Sequence, residues 1–204
     1  MKISRYGQVA LPVGLSTLAE VHALDNALHA QGWDDIEECI PAYDTVVVRA
    51  RPGTDISALA QRIVALTLDP DTVPSSRLVI IDVVYDGVDL SDVAALTGLA
   101  ESRVIQRHTA PEHTVAFLGF TPGFPYLVGL DPALIVPRLE SPRLAVPAGS
   151  VAIGGGQTGV YPLASPGGWR IIGRTTATLW DAQRTPASLL QPGDRLRFCA
   201  VERA

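Results

Sequence analysis

Side chains able to do chemistry crowd into the part of this chain between residues 108 and 174. Arg138, Arg143, Arg170 and Arg174 are spread through its glycine- and proline-rich portion, where only Asp131 and Glu140 offset them. A planar guanidinium grips a carboxylate or phosphate with two parallel hydrogen bonds, so several of them beside one cleft suit an anionic ligand. The plainer role for any one of them is a solvated or structurally paired arginine. His108, just ahead of Pro111, can serve near neutral pH as acid, base or simple donor, or close a helix. Ser150, Gln157, Thr158 and Thr175 add neutral hydrogen-bonding groups. Phe120, Phe124, Tyr126, Tyr161 and Trp169 concentrate rings in a chain that is only 6% aromatic. Such rings either wall a mostly apolar pocket or fill a core. The run Gly154-Gly155-Gly156-Gln157-Thr158-Gly159 offers backbone donors to an anion, but it lacks the lysine and the following helix of a phosphate-binding loop. A tight turn between two strands is the simpler reading.

The same stretch tells what must hold these groups. From Phe117 to Arg174 glycine and proline occur at a density no helix tolerates, because proline lacks a backbone donor and glycine loses most freedom on ordering. Between them lie short apolar runs, Val115–Leu118, Ala145–Val146, Ser150–Ile153, Val160–Leu163 and Trp169–Ile172. Short strands with closely spaced turns predict a closed or nearly closed antiparallel barrel over 111–204.

The first 84 residues read differently. A strand-like segment within Ile3–Val13 precedes a helix over Ser16–Gln31, with a capping box at Thr17 and Glu20 and Gly32 at the C-terminal cap. Strands follow at Ile36–Ile40 and Thr45–Ala50. A second helix opens at Thr54 or Asp55 and repeats Ile56, Leu59, Ile63 and Leu66 at helical spacing, and Leu78–Tyr85 closes the set. That order is βαββαβ, the ferredoxin-like arrangement. Residues 85–110 then give two short helical segments broken at Gly98, read as a linker. Arg103 and Arg107 on the second are too few for a DNA-reading helix. The fold class expected is α+β, a ferredoxin-like domain followed by a barrel.

Totals narrow the function. With 204 residues, 47% hydrophobic and 18% charged, the chain can bury a core. A net charge of −5 argues against a phosphate backbone as partner, so no nucleic acid is expected. No apolar run nears the about 20 residues that span a bilayer and the start lacks a signal peptide, so no membrane partner and a cytoplasmic location are expected. No nucleophile elbow, Walker loop or histidine-rich metal motif is present. His22 and His29 read as surface or packing residues, Cys39 and Cys199 as buried free thiols, and no metal site is expected.

Gly119-Phe120-Thr121-Pro122-Gly123-Phe124-Pro125-Tyr126-Leu127, Pro137-Arg138, Ser141-Pro142-Arg143, Val146-Pro147-Ala148-Gly149-Ser150-Val151, Gly156-Gln157-Thr158-Gly159-Val160-Tyr161-Pro162 and Ser165-Pro166-Gly167-Gly168-Trp169 occur in this order. In these motifs the chain resembles the KipI / allophanate hydrolase subunit 1 family from Tyr85 to about Phe198. The resemblance implies a small N-terminal α/β domain and a cyclophilin-like C-terminal barrel. It implies one component of a complex that opens 5-oxo-L-proline to L-glutamate with ATP, acting on a small-molecule substrate. Its partners would be a homologous C subunit (KipA / allophanate hydrolase subunit 2 type) and an A subunit of the LamB/YcsF type. The chain departs from the family at its start, where Ser4-Arg5-Tyr6-Gly7-Gln8-Val9-Ala10-Leu11 replaces the usual opening strand. Family relatives also suggest a urea- or allophanate-type biotin-dependent carboxyltransferase component, or a histidine-kinase inhibitor. On the leading reading His108, Arg138 and Arg143 are the expected catalytic groups. Phe120, Phe124, Tyr126, Ser150, Gln157, Thr158, Tyr161, Trp169 and Arg174 are the expected substrate-binding residues. ATP belongs to the complex as a whole.

Overall fold

The capping box expected at the first helix forms. Glu20 N–H donates to Thr17 Oγ1 at 3.2 Å and Thr17 N–H to Glu20 Oε2 at 3.0 Å, so α1 (Leu18–Gln31) starts with two of its orphan donors satisfied. Gly32 ends it in the left-handed region, at φ 58°. The computed structural model describes residues 1–69 and 77–202, and the chain divides into two units between residues 75 and 76.

In the first unit β1 (Lys2–Ile3), β2 (Ala10–Gly14), β3 (Ile36–Pro41) and β4 (Thr45–Ala50) form an antiparallel sheet in the order β1-β2-β4-β3. The single strand expected within Ile3–Val13 is a hairpin instead, because Gly7 at φ 62° turns the chain back on itself. α1 and α2 (Ile56–Val64) complete the unit, α2 being capped by Asp55, which accepts from Ser57 and Ala58 N–H. Val21, Leu24 and Leu28 of α1 and Ile56, Leu59 and Ile63 of α2 share one core with Leu11, Val13, Val46 and Val48.

The strand expected to close that sheet lies elsewhere. β5 (Leu78–Val83) pairs in parallel with β13 (Arg195–Ala200), from Leu78 opposite Arg195 to Val83 opposite Ala200. The βαββαβ order expected over 1–84 is therefore corrected to ββαββα for the described strands and helices of the first unit. A strand's alternation fixes which face is apolar, not which sheet it joins.

The second unit holds β5, two helices, β6 (His113–Leu118), β7 (Pro125–Val128), β8 (Arg143–Val146), β9 (Ser150–Gly154), β10 (Gln157–Val160), β11 (Ser165–Gly167), β12 (Arg170–Arg174) and β13. Seven strands run in the order β12-β9-β10-β7-β6-β13-β5, while β8 and β11 form a separate pair. The helices α3 (Leu90–Thr97) and α4 (Glu101–Thr109), expected as a linker, bury Leu90, Val93, Ala94 and Val104 in the same core as Val115, Leu127, Ile153 and Phe198.

The two outer strands of this sheet meet, giving a nearly closed barrel. Just beyond β5, Val84 exchanges two 2.9 Å backbone hydrogen bonds with Arg174 at the end of β12. The chain then follows β12 backwards, with Gly87 N–H donating to Ile172 O at 3.2 Å and Asp89 N–H to Ile171 O at 2.9 Å. Ile171 N–H returns a 2.7 Å bond to Asp89 Oδ2. A Cβ on Gly87 would overlap the backbone of Ile171 and Ile172. Gly87→Ala should thus destabilise the protein by about 1–3 kcal/mol, the usual cost of forcing extra bulk into packed structure. Urea unfolding measures it, and an unchanged midpoint would mean that the seam yields without cost.

Candidate functional site

Aromatic rings wall a cavity of about 310 Å³ in the second unit, lined by Phe120, Phe124, Tyr126, Tyr161 and Trp169 together with Arg138, Leu139, Pro142, Pro166, Gly167 and Gly168. Phe124 is its centre. Its ring stands edge-on to Tyr126 and Tyr161, each at 5.1 Å between centroids, to Trp169 at 5.6 Å and to Phe120 at 5.6 Å. Edge-to-face packing sets the positive rim of one ring on the negative face of the next. Phe124, Tyr161 and Trp169 are buried, whereas Phe120 is 59% exposed.

Glycines make room for these rings. A Cβ on Gly154 would overlap the Trp169 indole, and one on Gly167 would overlap the Tyr161 hydroxyl. A Cβ on Gly159 would sit 3.2 Å from Trp169 and 3.3 Å from Phe124. The other end of the cluster is set by Phe120, whose φ of 64° is left-handed. Only glycine, and occasionally asparagine or aspartate, adopts this region without cost. The turn that holds it there is closed by Gly119 N–H to Phe124 O at 3.1 Å and Phe124 N–H to Thr121 O at 3.0 Å.

The glycine-rich run supplies shape and not an anion cradle. Gly154 ends β9 and Gln157 begins β10 directly opposite it, so Gly155 and Gly156 form a two-residue hairpin turn with Gly155 at φ 64°. Gly155 N–H is already used, donating to Val136 O at 2.9 Å. With that donor engaged and no lysine in the turn, these residues do not fit the phosphates of a nucleotide.

Arg138 is the cation of the cavity. Its guanidinium lies 5.8 Å from the centroid of the Trp169 ring, and among the described residues no carboxylate pairs with it. The other arginines are committed. Arg143 Nη2 donates to Asp89 Oδ1 at 2.6 Å, and the Asp89 side chain is only 5% exposed. Arg170 donates to Pro137 O at 3.0 Å and pairs with Asp92 at 3.4 Å. Arg174 grips Asp86 with both Nε and Nη2, at 3.1 and 3.0 Å, which raises the guanidinium pKa further.

His108 is fully buried in the barrel core, away from the aromatic cavity, and stacks on Phe198 with centroids 4.6 Å apart. Thr158 Oγ1 donates to Ala152 O at 3.0 Å, so it accepts from His108 Nε2–H at 2.8 Å. Nδ1 therefore carries the lone pair and accepts from Tyr85 O–H at 2.7 Å. Burial above all, and His113 beside it, holds the imidazole well below its ordinary pKa, while burial pushes the Tyr85 phenol up. This is a satisfied neutral network without access to a substrate. Ser150 is buried in β9, Gln157 starts β10, and neither lines the cavity.

Of the residues expected at a site, Phe120, Phe124, Tyr126, Tyr161, Trp169 and Arg138 come together. His108, Arg143, Ser150, Gln157, Thr158 and Arg174 lie outside the cavity: His108, Ser150 and Thr158 are buried in the core, Arg143 and Arg174 are held in ion pairs, and Gln157 is half-buried at the start of β10. The cavity also uses Leu139, Pro142, Pro166, Gly167 and Gly168, which sequence reasoning does not single out. Pro142, Pro166, Gly167 and Gly168 sit inside the family motifs, and that is the one signal that points to them.

Residues 1–190 match the family model described as carboxyltransferase domain, subdomain C and D. The chain belongs to that family. Within it the chain is 46% identical over 170 residues to a protein of Escherichia coli O157:H7 named as the B subunit of 5-oxoprolinase, covering 80% of this chain and 78% of that one. Among solved structures, TTHA0988 superposes with a TM-score of 0.86 at 37% identity, over 96% of this chain but 40% of that longer one. The urea amidolyase of K. lactis, 19% identical, superposes with a TM-score of 0.74 over 98% of this chain and 15% of its own, a likeness of fold.

The contrast between arginines is measurable. Arg143→Ala leaves the buried Asp89 carboxylate without its cation and should cost about 2–3 kcal/mol of stability. Arg138→Ala should stay within about 0.5 kcal/mol of the parent, as exposed substitutions do. Urea unfolding of both variants tests this, and equal losses would remove the distinction. The network around His108 predicts a pH dependence as well. Between its lowered pKa and the ordinary value of about 6.5, the unfolded chain binds a proton that the folded chain refuses. Stability should therefore rise with pH through that window and level off above it, with His113, also lowered by burial, acting in the same direction. His108→Gln should flatten the rise, and a slope unchanged by it would refute this origin.

Proposed function

We propose that this chain is the B subunit of a cytoplasmic, ATP-dependent 5-oxoprolinase that opens 5-oxo-L-proline to L-glutamate together with the A and C subunits. The observation that carries this reading is an aromatic cavity with one uncommitted guanidinium, in a chain so similar to proteins named as that component of 5-oxoprolinase. The substrate is a small flat lactam with an apolar ring and one carboxylate. The faces of Phe124, Tyr126 and Trp169 suit the ring, and Arg138 suits the carboxylate. ATP activates the lactam oxygen within the complex, and the hairpin at Gly155 and Gly156 supports placing the nucleotide outside this chain. Arg138, at the exposed rim of the cavity, then stabilises the anionic species that forms as the amide opens.

The family description supports a second reading, a part of a biotin-dependent carboxyltransferase acting on urea or a related amide.

Reconstitution separates the two. The protein is mixed with its A and C partners, each omitted in turn, and 5-oxoproline-dependent ATP hydrolysis and glutamate formation are followed. Activity is expected in the full mixture alone, and Arg138→Ala should raise KM for 5-oxoproline about tenfold or more, the loss of one charge-assisted contact. A folded mixture with no lactam opening, but with carboxyl transfer from carboxybiotin, would reverse the preference.

A further inference from the structure

The first unit brings together three metal-ligating side chains that have no part in the barrel cavity. A carboxylate oxygen of Asp25, a ring nitrogen of His29 and Sγ of Cys39 lie within 4.8 Å of one another. Asp25 and His29 are one turn apart on α1, so they share a face. Cys39 comes from β3, opposite Val48 of β4, and its side chain packs against the core beneath α1.

Asp25 is the unexplained member. It is 8% exposed, and its Oδ1 is shut off from solvent with no hydrogen-bond partner among the described residues. His29 Nδ1 lies 3.5 Å from that oxygen but donates at 2.8 Å to the Asp25 main-chain carbonyl. An orphaned buried carboxylate oxygen is costly and calls for a cation or donor.

We propose that Asp25, His29 and Cys39 bind a divalent transition-metal ion of the zinc type, with water completing a tetrahedron. The donor set selects the metal. Thiolate and imidazole favour zinc and its neighbours over calcium or magnesium, which take oxygen ligands. Metal–ligand distances of about 2.0–2.3 Å put ligand atoms about 3.6 Å apart in a tetrahedron, so the three groups need to close by roughly an ångström. The His29 side chain is 66% exposed, so its ring has room to turn once it gives up its bond to the Asp25 carbonyl. Binding replaces the Cys39 thiol proton with the metal and releases that proton to solvent. Burial, reinforced by the Asp25 and Glu38 carboxylates, pushes this thiol up to about 12, so the metal has to displace a firmly held proton and binding tightens as pH rises. The ion would tie α1 to β3.

Titration of the reduced, metal-free full-length protein with Co²⁺ tests the site. A thiolate-to-cobalt charge-transfer band and tetrahedral ligand-field bands should grow to one equivalent and vanish on adding Zn²⁺. Cys39→Ser should abolish the charge-transfer band, and His29→Ala, a change at an exposed position, should weaken binding about tenfold or more. Cys199→Ser is expected to change nothing. Folded wild-type protein without the band, or a band that survives Cys39→Ser or is lost in Cys199→Ser, overturns the proposal.

Discussion

The second unit depends on the seam where its sheet closes on itself. Open sheets present unpaired N–H and C=O groups at both edges, and a barrel removes the problem only if its outer strands meet. Here they meet through the short run from Val84 to Asp89 laid against Ile171–Arg174. The run is almost wholly backbone, so it needs close approach. Gly87 and Gly173 supply that: a Cβ on Gly173 would come 2.7 Å from Val84 O. The aspartates it carries, Asp86 and Asp89, then hold Arg174 and Arg143. Two of the arginines nearest in sequence to the aromatic cavity are thereby spent on closing the barrel, and Arg138 is left to meet a ligand.

The cavity follows from the same economy of backbone. Where strands carry glycine, a large ring on one strand can lie flat against the main chain of its neighbour. Trp169 does so against Gly154, and the hydroxyl end of Tyr161 comes equally close to Gly167. The rings are thus fixed by backbone on one side and by Phe124 on the other. A wall so constrained is preorganised, and less ordering cost falls on the ligand when it binds.

What the sequence made legible was local. Thr17, Glu20 and Gly32 mark the ends of α1 because capping chemistry involves neighbours only, and Thr45–Ala50 reads as a strand from its valines alone. The aromatic cluster was legible as a concentration of rings in a ring-poor chain. Partnership was not. Leu78–Val83 has the same alternation whichever sheet it enters, and its partner β13 lies at the far end of the barrel unit. His108 looks like a reactive imidazole until Tyr85 and Thr158, from two other strand regions, are seen to occupy both nitrogens. Arg143 and Arg174 look available until the loop after β5 brings Asp89 and Asp86 to them. The pairing that assembles Asp25, His29 and Cys39 likewise joins a helix face to a strand, and no linear spacing announces it.

The parallel pairing of β5 with β13 also bears on how the chain comes to be folded. The first strand of the barrel unit has its long-range partner in the last, with the closing loop between them in sequence. During synthesis the four-stranded unit, built from hairpins and nearby helices, can complete its sheet while the rest of the chain is still being made. The barrel cannot. Until Arg195–Ala200 emerges, β5 and β6 are edges without their mates, and apolar residues such as Ile81 and Val115 have no finished core. Such long-range closure slows folding and leaves sticky intermediates. The unit with the ligand-sized cavity is thus the one that depends most on shelter before its last strand arrives.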